Sequence, residues 1–425
     1  MLILLLILAA LAALWWGAQL LAPSQRALMR FIYSTATPPH QLNGVFPGDD
    51  VTGETAPDPA HWPTVTIIVP GRNEGHLLAH TLGSLCSMDY PSFRVIFIDD
   101  QSTDNTAAVC RELAQKHPHL SVLHNTQPPR DGWIGKTWAV HQADPYLQDS
   151  NTDYLLFTDS DLEYHPQCLR HMIRLALHRR TDITSLLPRM VCQTVGELLG
   201  LHAGMCIINS RLSLYHCNNP KIPRDLVAGG FLLVKRATYH ELGGHAAVRG
   251  QIVEDVAFGT RAKALRKRVF TALTHDLYRA RMYEGWRDTY RGLKKNAYAG
   301  ANYSLPLAAF IAGFLLFAGT LVPFYVLAAL ATCLAHTTAL ALATLLTATI
   351  ALLFQTLSAA RTARFVGFPA ATALLTSPAF AFYLAVFLGS VLDYYRGGNT
   401  WAGRQVKNAQ PLASAGVVSP PGDSL

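Results

Sequence analysis

RVIFIDDQSTDNTAAVCRELAQK, residues 94–116, holds the plan of the chain in one stretch. A short β-branched and apolar run ends in two acids, Asp99 and Asp100. Ser102, Thr103, Asp104 and Asn105 are helix-capping types, and an amphipathic helix follows them. The same unit recurs on both sides. TVTIIVP (64–70) reads as a buried strand and EGHLLAHTLGSLCS (74–87) as a helix. LSVLHN (120–125) and DYLLFTDSD (153–161) read as further strands. Strands alternating with helices predict an α/β fold with a mostly parallel, doubly wound sheet. Ligands bind such sheets beyond the carboxyl ends of the strands. Asp99, Asp100, Asp159 and Asp161 all fall at such ends.

Beyond Leu175 the alternation loosens. ITSLLP (183–188), an amphipathic stretch near 194–215, GGFLLVKR (229–236) and GQIVEDVAFGTRAKALRKR (250–268) come in turn. RMYEGWRDTYRGLKKNAY (281–298) follows, and these last two basic stretches are predicted to lie at a lipid headgroup surface.

The 425 residues leave room for one or two domains with a sizeable core. Half the residues are hydrophobic and 15% are charged, an imbalance that is local. Residues 1–24, 296–360 and 365–392 contain no Asp, Glu, Lys or Arg. A membrane-crossing helix needs about 20 apolar residues, so these stretches read as spans. The first reads as a retained anchor rather than a signal peptide, because it lacks a charged n-region and a small-residue cleavage site. Arg26 and Arg30 after it, with Lys294 and Lys295 before the second block, predict a cytoplasmic location for residues 25–300.

The expected organisation is an anchor (1–24), a linker (25–63), a catalytic domain (64–300), a membrane block (301–395) and a polar tail (396–425). Within the block, 305–334 and 338–358 predict a hairpin turning at His336. Residues 365–392, interrupted by Pro369 and Pro378, read as one span or a re-entrant pair. One span would leave Arg396, Arg404 and Lys407 on the far side, and a pair would keep them inside. The formal charge of +7 suits an anionic leaflet. Nucleotide and nucleic-acid binders carry similar charge, but no nucleic-acid partner is expected. The seven cysteines form no CxxC pair, which predicts reduced thiols and no zinc site. None of the seventeen histidines is assigned as a ligand.

Asp159 and Asp161 lie one residue apart after a strand, and can be a solvated strand end or a hard-oxygen clamp for Mg²⁺ or Mn²⁺. Here the wider pattern matters. VPGRNE (69–74), IDDQSTD (98–104), GWIGK (132–136), DSD (159–161), GG (229–230) and VED (253–255) occur in an order that resembles family 2 glycosyltransferases of the GT-A fold. The resemblance covers residues 64–300. With the N-terminal anchor, RMYEGW and the C-terminal block, it is most similar to the hopene-associated and carotenoid glycosyltransferases of bacteria. No intact QxxRW is present, so the likeness to processive polysaccharide synthases is poorer.

The resemblance implies roles residue by residue. Pro70, Arg72, Asn73 and Glu74 would form the first loop against the nucleotide. Asp100, with Asp99 behind it, would accept hydrogen bonds from uracil or ribose, and Asp104 takes the helix-capping role. Lys136 would reach a phosphate, or is a solvated lysine. Asp159 and Asp161 would hold the metal that bridges a UDP-sugar diphosphate. Gly229 and Gly230 would allow close approach of the sugar or acceptor, or are a plain turn. Asp255 would be the general base of an inverting transfer, with Glu254 its rival. Arg281, Tyr283 and Trp286 would frame an acceptor entry, or anchor the chain at the interface. The expected reaction is hexose transfer from a UDP-sugar to a hydroxyl of a membrane lipid of isoprenoid type. Transfer to a polyprenyl phosphate or a growing saccharide is the alternative. A phosphatase of the haloacid dehalogenase type fits poorly, because two strand–helix units precede the DxD and Leu162 follows it. A nucleotidyltransferase would need a glycine-rich basic loop where VPGRNE stands, and a transporter would not explain the acids.

Overall fold

The computed structural model describes residues 1–21, 59–148, 151–211, 217–219, 221–222, 227–251, 253–273, 276–396, 400–401 and 404–405. Arg26, Arg30 and Lys407 lie outside them, as does most of the expected linker (25–63) and tail (396–425).

Ten strands belong to the two larger sheets: β1 Val65–Gly71, β2 Phe93–Asp100, β3 Leu120–Asn125, β4 Tyr154–Phe157, β5 Leu162–Tyr164, β6 Ile183–Leu187, β7 Arg189–Met190, β8 Leu232–Lys235, β9 Val269–Leu273 and β10 Tyr278–Ala280. Seven form the main sheet in the order β3-β2-β1-β4-β8-β6-β9. All neighbours run parallel except at β8, which is antiparallel to β4 and β6. This is the mostly parallel α/β sheet that the alternation predicted. The remaining three strands form a small sheet, β5-β10-β7.

The strands are apolar on both sides because helices cover both faces. Val65, Ile67 and Val69 point to one face with Leu78, Leu82 and Leu85 of the helix Gly75–Cys86. Ile68, Ile96 and Ile98 point to the other, with Ala139, Val140 and Phe258. Because β8 runs backwards, its beginning lies beside the carboxyl end of β4, with Leu232 paired to Phe157. Gly229 and Gly230 therefore arrive at the edge where the acids stand.

Three helices are long and apolar enough to cross a membrane: Leu2–Leu21, Ala339–Phe365 and Ala370–Tyr395. Two points refine the sequence expectation. The limb read as 305–334 is bent by 54° between Leu305–Thr320 and Val322–Ala335. The bend follows a π-helical segment, Leu315–Thr320, and precedes Pro323, which cannot continue the earlier hydrogen-bond ladder. Residues 370–395 run as one rod, a 3₁₀ turn leading into the helix Thr376–Tyr395, rather than as a re-entrant pair.

The first helix is part of the C-terminal bundle. Ala9 and Ala12 pack with Ala348 and Ala351 of Ala339–Phe365, small residues that allow close approach. A Cβ on Gly17 would lie 3.0 Å from the Phe354 ring. Two helices that follow main-sheet strands in sequence join the same assembly. Helix Gly285–Ala297 packs against both Val195–Arg211 and Thr376–Tyr395, with Gly200 against Thr289, Leu293 and Phe382. Lys294 Nζ pairs with Asp393 Oδ2 at 2.6 Å.

Candidate active site

The loop after β1 is pinned to the loop after β2. Asn73 stands in the left-handed region (φ 58°), where a short polar side chain can bond locally. Its N–H donates to Ser102 Oγ (2.9 Å), and Thr103 N–H donates to Asn73 Oδ1 (2.8 Å). Asp104 ties two helix N-termini together, accepting from Gly75 N–H (3.2 Å) and Thr106 N–H (3.0 Å). It has the capping role that the sequence suggested. Asp99 and Asp100 are both buried. Asp99 shapes the turn by accepting from Ser102 N–H (3.1 Å), and its other oxygen lies 3.1 Å from His124 Nδ1. Asp100 is oriented by Asn125 Nδ2 of β3 (2.7 Å).

Lys136 opens the helix Gly135–His141, whose N-terminus faces the carboxyl edge of the sheet. Its Nζ lies 2.6 Å from Asp159 Oδ1 and 2.6 Å from Glu254 Oε1. Glu254 and Asp255 form the first turn of Glu254–Ala264. Asp255 Oδ2 accepts from Gly229 N–H and Oδ1 from Val256 N–H, both at 2.8 Å. A Cβ on Gly229 would stand 3.2 Å from both Asp255 Oδ2 and Lys136 Nζ, so a bare backbone lets this cluster close. On Gly230 it would meet Leu162 (3.0 Å) and the Tyr278 hydroxyl (3.1 Å). Pro70, Lys136, Gly229, Glu254 and Asp255 line one cavity.

The electrostatics of the cluster are strained by excess negative charge. Burial, then Asp159 and Glu74, push Asp161 up to about 7. Burial, then Asp104 and Asp159, push Glu74 up to about 7. Burial and Glu254 raise Asp255 to about 7 against the pull of Lys136 and its two backbone donors. Burial alone would lower the Lys136 ammonium, but Asp159, Glu254 and Asp255 outweigh it and hold it well above its usual value. Arg72 Nε and Nη1 are buried and have no hydrogen-bond partner among the described residues. An orphaned guanidinium on this loop is a ready partner for an anion. Glu74, Asp159 and Asp161 offer hard oxygens of the kind Mg²⁺ and Mn²⁺ take, and the Asp159 charge acts on both of the others.

The surface residues divide. Arg281 is committed elsewhere: its Nη2 lies 3.1 Å from Oε1 of the buried Glu197, which also accepts from Gly285 N–H (2.7 Å). Trp286 is 59% exposed, with its backbone against Gly196. Tyr283 packs over Gly292 and is close enough to Asp161 to feel its charge. The sequence reading assigned no site role to Lys295. It lies one turn beyond Gly292 on the same helix, and burial and Lys136 lower its pKa while Glu254, Asp159 and Asp161 oppose. The signal was the i, i+3 spacing of Gly292 and Lys295, which sets both on one face.

Comparison with known proteins agrees with this arrangement. The chain is 26% identical over 248 residues to 4,4'-diaponeurosporenoate glycosyltransferase of Staphylococcus haemolyticus, covering 57% of this chain and 63% of that one. It is 31% identical over 115 residues to β-monoglucosyldiacylglycerol synthase of Nostoc sp., covering 27% of this chain and 23% of the relative. The chain thus spans less than two thirds of the length of these relatives. Among solved structures, a mannosyltransferase from Pyrobaculum calidifontis in complex with GDP-Man and Mn²⁺ aligns over 91% of this chain and 99% of its own, at 18% identity and a TM-score of 0.45. Residues 66–222 match the family model described as glycosyl transferase family 2. Residues 66–222, with Glu74, Asp99, Asp100, Asp159 and Asp161 among them, are therefore similar to family 2 glycosyltransferases.

Proposed function

We propose that the chain is a membrane-bound inverting glycosyltransferase that moves a hexose from a UDP-sugar to a hydroxyl of a membrane lipid, of isoprenoid type such as a hopanoid or carotenoid derivative. Residues 64–300 are the catalytic unit on the cytoplasmic face of the cell membrane. Residues 1–24 and 301–395 hold it there, joined by the linker 25–63 and followed by the tail 396–425. The observation that carries the reading is the meeting of Glu74, Asp159, Asp161, Glu254 and Asp255 with Lys136 at the carboxyl edge of the sheet. Asp159 and Asp161, with Glu74 beside them, would hold Mg²⁺ or Mn²⁺. Such an ion, when bound, stabilises the charge that grows on the leaving diphosphate. Pro70, Arg72, Asn73 and Glu74 form the donor loop, with the unpartnered Arg72 nitrogens available to a phosphate. Asp99 supports Asp100 as the acceptor of base or ribose hydrogen bonds, and Gly229 and Gly230 leave room for the sugar.

Asp255 suits the base. A lipid hydroxyl must lose a proton as its oxygen attacks, and a base is most useful when its pKa lies near the working pH. Asp255 sits at about 7, whereas Glu254 is held by Lys136 at 2.6 Å. A phosphate acceptor arrives already charged and needs no base, so a poised Asp255 favours the hydroxyl. The lipid-directed names of the carotenoid and diacylglycerol relatives support the same choice. The test is UDP release by the full chain in lipid, with Mn²⁺ and a panel of UDP-sugars, beside Asp161→Ala and Asp255→Asn. Release with one sugar and a hydroxyl lipid, lost in both variants, is expected. Transfer to polyprenyl phosphate that survives Asp255→Asn would replace the acceptor assignment, and absence of any turnover or Mn²⁺-dependent UDP binding would end the reading.

A further inference from the structure

The edge of the sheet opposite the acids carries a second cluster, and nothing in the transferase reading uses it. Helices run antiparallel to the strands they follow, so Gly75–Cys86 ends at the amino edge of the sheet. The turn between Thr106–Lys116 and β3 lies at that same edge. It contains His117, Pro118 and His119. The Cys86 sulfur and one ring nitrogen from each histidine all lie within 4.8 Å of one another. Cys86 is buried and both histidines are half-buried.

We propose that Cys86, His117 and His119 form a zinc-binding site, with water completing the coordination. Thiolate and imidazole are the donors that zinc takes in tetrahedral sites, whereas Mg²⁺ and Mn²⁺ prefer the oxygens at the other edge. The backbone around the three donors is already fixed. His117 N–H donates to Leu113 O (2.9 Å), Leu120 N–H to His117 O (2.9 Å) and Val95 N–H to His119 O (2.8 Å). Pro118 between the histidines restricts the turn further. His119 is oriented as well, its Nε2 lying 3.1 Å from the Cys86 carbonyl oxygen. Zinc–sulfur and zinc–nitrogen bonds of about 2.3 and 2.0 Å set tetrahedral donors roughly 3.5 Å apart, so closure asks for movement of about an ångström. Burial keeps the Cys86 thiol protonated, up to about 11, so each ion bound releases one proton.

The sequence hid the trio because thirty residues separate Cys86 from His117, far from any CxxC or HExxH spacing. The inference does not rest on the transferase reading, since the catalytic acids lie across the sheet. The test uses the full chain, purified without a polyhistidine tag, stripped with chelator and titrated with Zn²⁺ and then Co²⁺. One zinc equivalent is expected in the wild type and in Asp161→Asn, with a rise in Tm. His119→Ala is expected to lose that rise and to bind at least tenfold more weakly. Co²⁺ should show a thiolate charge-transfer band that Cys86→Ser lacks. If Cys86→Ser fails to fold, His117→Gln, altering a half-buried side chain, decides the matter by the same tenfold loss. Equal zinc binding by wild type, His117→Gln and His119→Ala, or a cobalt spectrum without the thiolate band, overturns the proposal.

Discussion

Replacing Glu254 with glutamine separates the roles of the two neighbouring acids. Asp255 stands at about 7 against an ordinary 3.8, a preference for the neutral form worth about 4 kcal/mol. Burial is the larger cause and the Glu254 charge the next. At an effective dielectric near 20, neighbouring carboxylates repel by on the order of 1–3 kcal/mol, or about one pKa unit or more. Glu254→Gln removes that repulsion. It also frees Lys136, now 2.6 Å from Glu254, to serve Asp255, which pulls in the same direction. The sign is therefore fixed: the Asp255 pKa falls. In the wild type, kcat/KM should decline about tenfold per unit below pH 7 as the base protonates. In Glu254→Gln the same limb should begin about one unit lower, so the variant retains more of its own maximum at pH 6. Asp255→Asn should lose about 10²- to 10⁴-fold at every pH. The assay is initial-rate UDP release at saturating metal across pH 5–9, with far-ultraviolet dichroism to check folding. A limb that does not move, or a loss of that size in Glu254→Gln alone, would refute Asp255 as the base.

Three further expectations follow from the same geometry. Gly229→Ala sets a methyl 3.2 Å from Asp255 Oδ2 and Lys136 Nζ, and should cut kcat about tenfold or more while Tm changes little. Glu197 is held down to about 2, because its backbone and Arg281 hydrogen bonds overcome the upward push of burial. Its stabilising contribution is complete above about 4.5 and should be lost as pH falls toward 2, visible as a Tm decline that Arg281→Ala reproduces at neutral pH, costing about 3 kcal/mol or more. Lys295→Gln should raise the donor KM about tenfold without lowering Tm, since Lys295 makes its electrostatic contribution toward Lys136 and the acids. An unchanged KM would return it to a structural lysine.

The parts of the fold that the sequence made legible are those set by local periodicity. β1, β2 and β4 are short apolar runs closed by polar turns, and their carboxyl ends had to carry Asp99, Asp100 and Asp159. What could not be read was anything decided across the sheet. No local pattern says that β8 runs antiparallel, yet that reversal is what brings Gly229 N–H onto Asp255. Arg281 and Lys295 looked alike as cations in one basic stretch. Burial of Glu197, eighty-four residues away, binds the first, and rotation along one helix turns the second toward the acids. The Lys136 bridge likewise joins Asp159 and Glu254 from opposite sides of the site, a contact that spacing along the chain does not encode.

The bend near Leu321 shows how far the first helix is built into the C-terminal block. A π-helical segment followed by Pro323 leaves carbonyls without the usual partner, and in an apolar surrounding such groups must be satisfied from elsewhere. Trp16 Nε1 of the N-terminal helix donates to Ala318 O at 2.7 Å. Gln355 Nε2, from the helix Ala339–Phe365, donates to Gly319 O at 2.7 Å, and its side chain is almost wholly buried. Two helices distant in sequence thus serve consecutive carbonyls of one bend. Gln355→Leu keeps the volume but strips Gly319 of its donor, apart from Ser377 Oγ at 3.2 Å. Side-chain hydrogen bonds between apolar helices are worth about 0.6 kcal/mol on average and up to about 1.7. The variant should therefore lose about 1 kcal/mol, a drop of a few degrees in Tm measured in detergent or lipid. Combined with Trp16→Phe, the loss should exceed the sum of the two single variants, because either donor alone still holds one side of the bend. Strict additivity, or no change in either single variant, would mean that the bend is held by Pro323 and helix packing, and that the first helix is only lodged beside it.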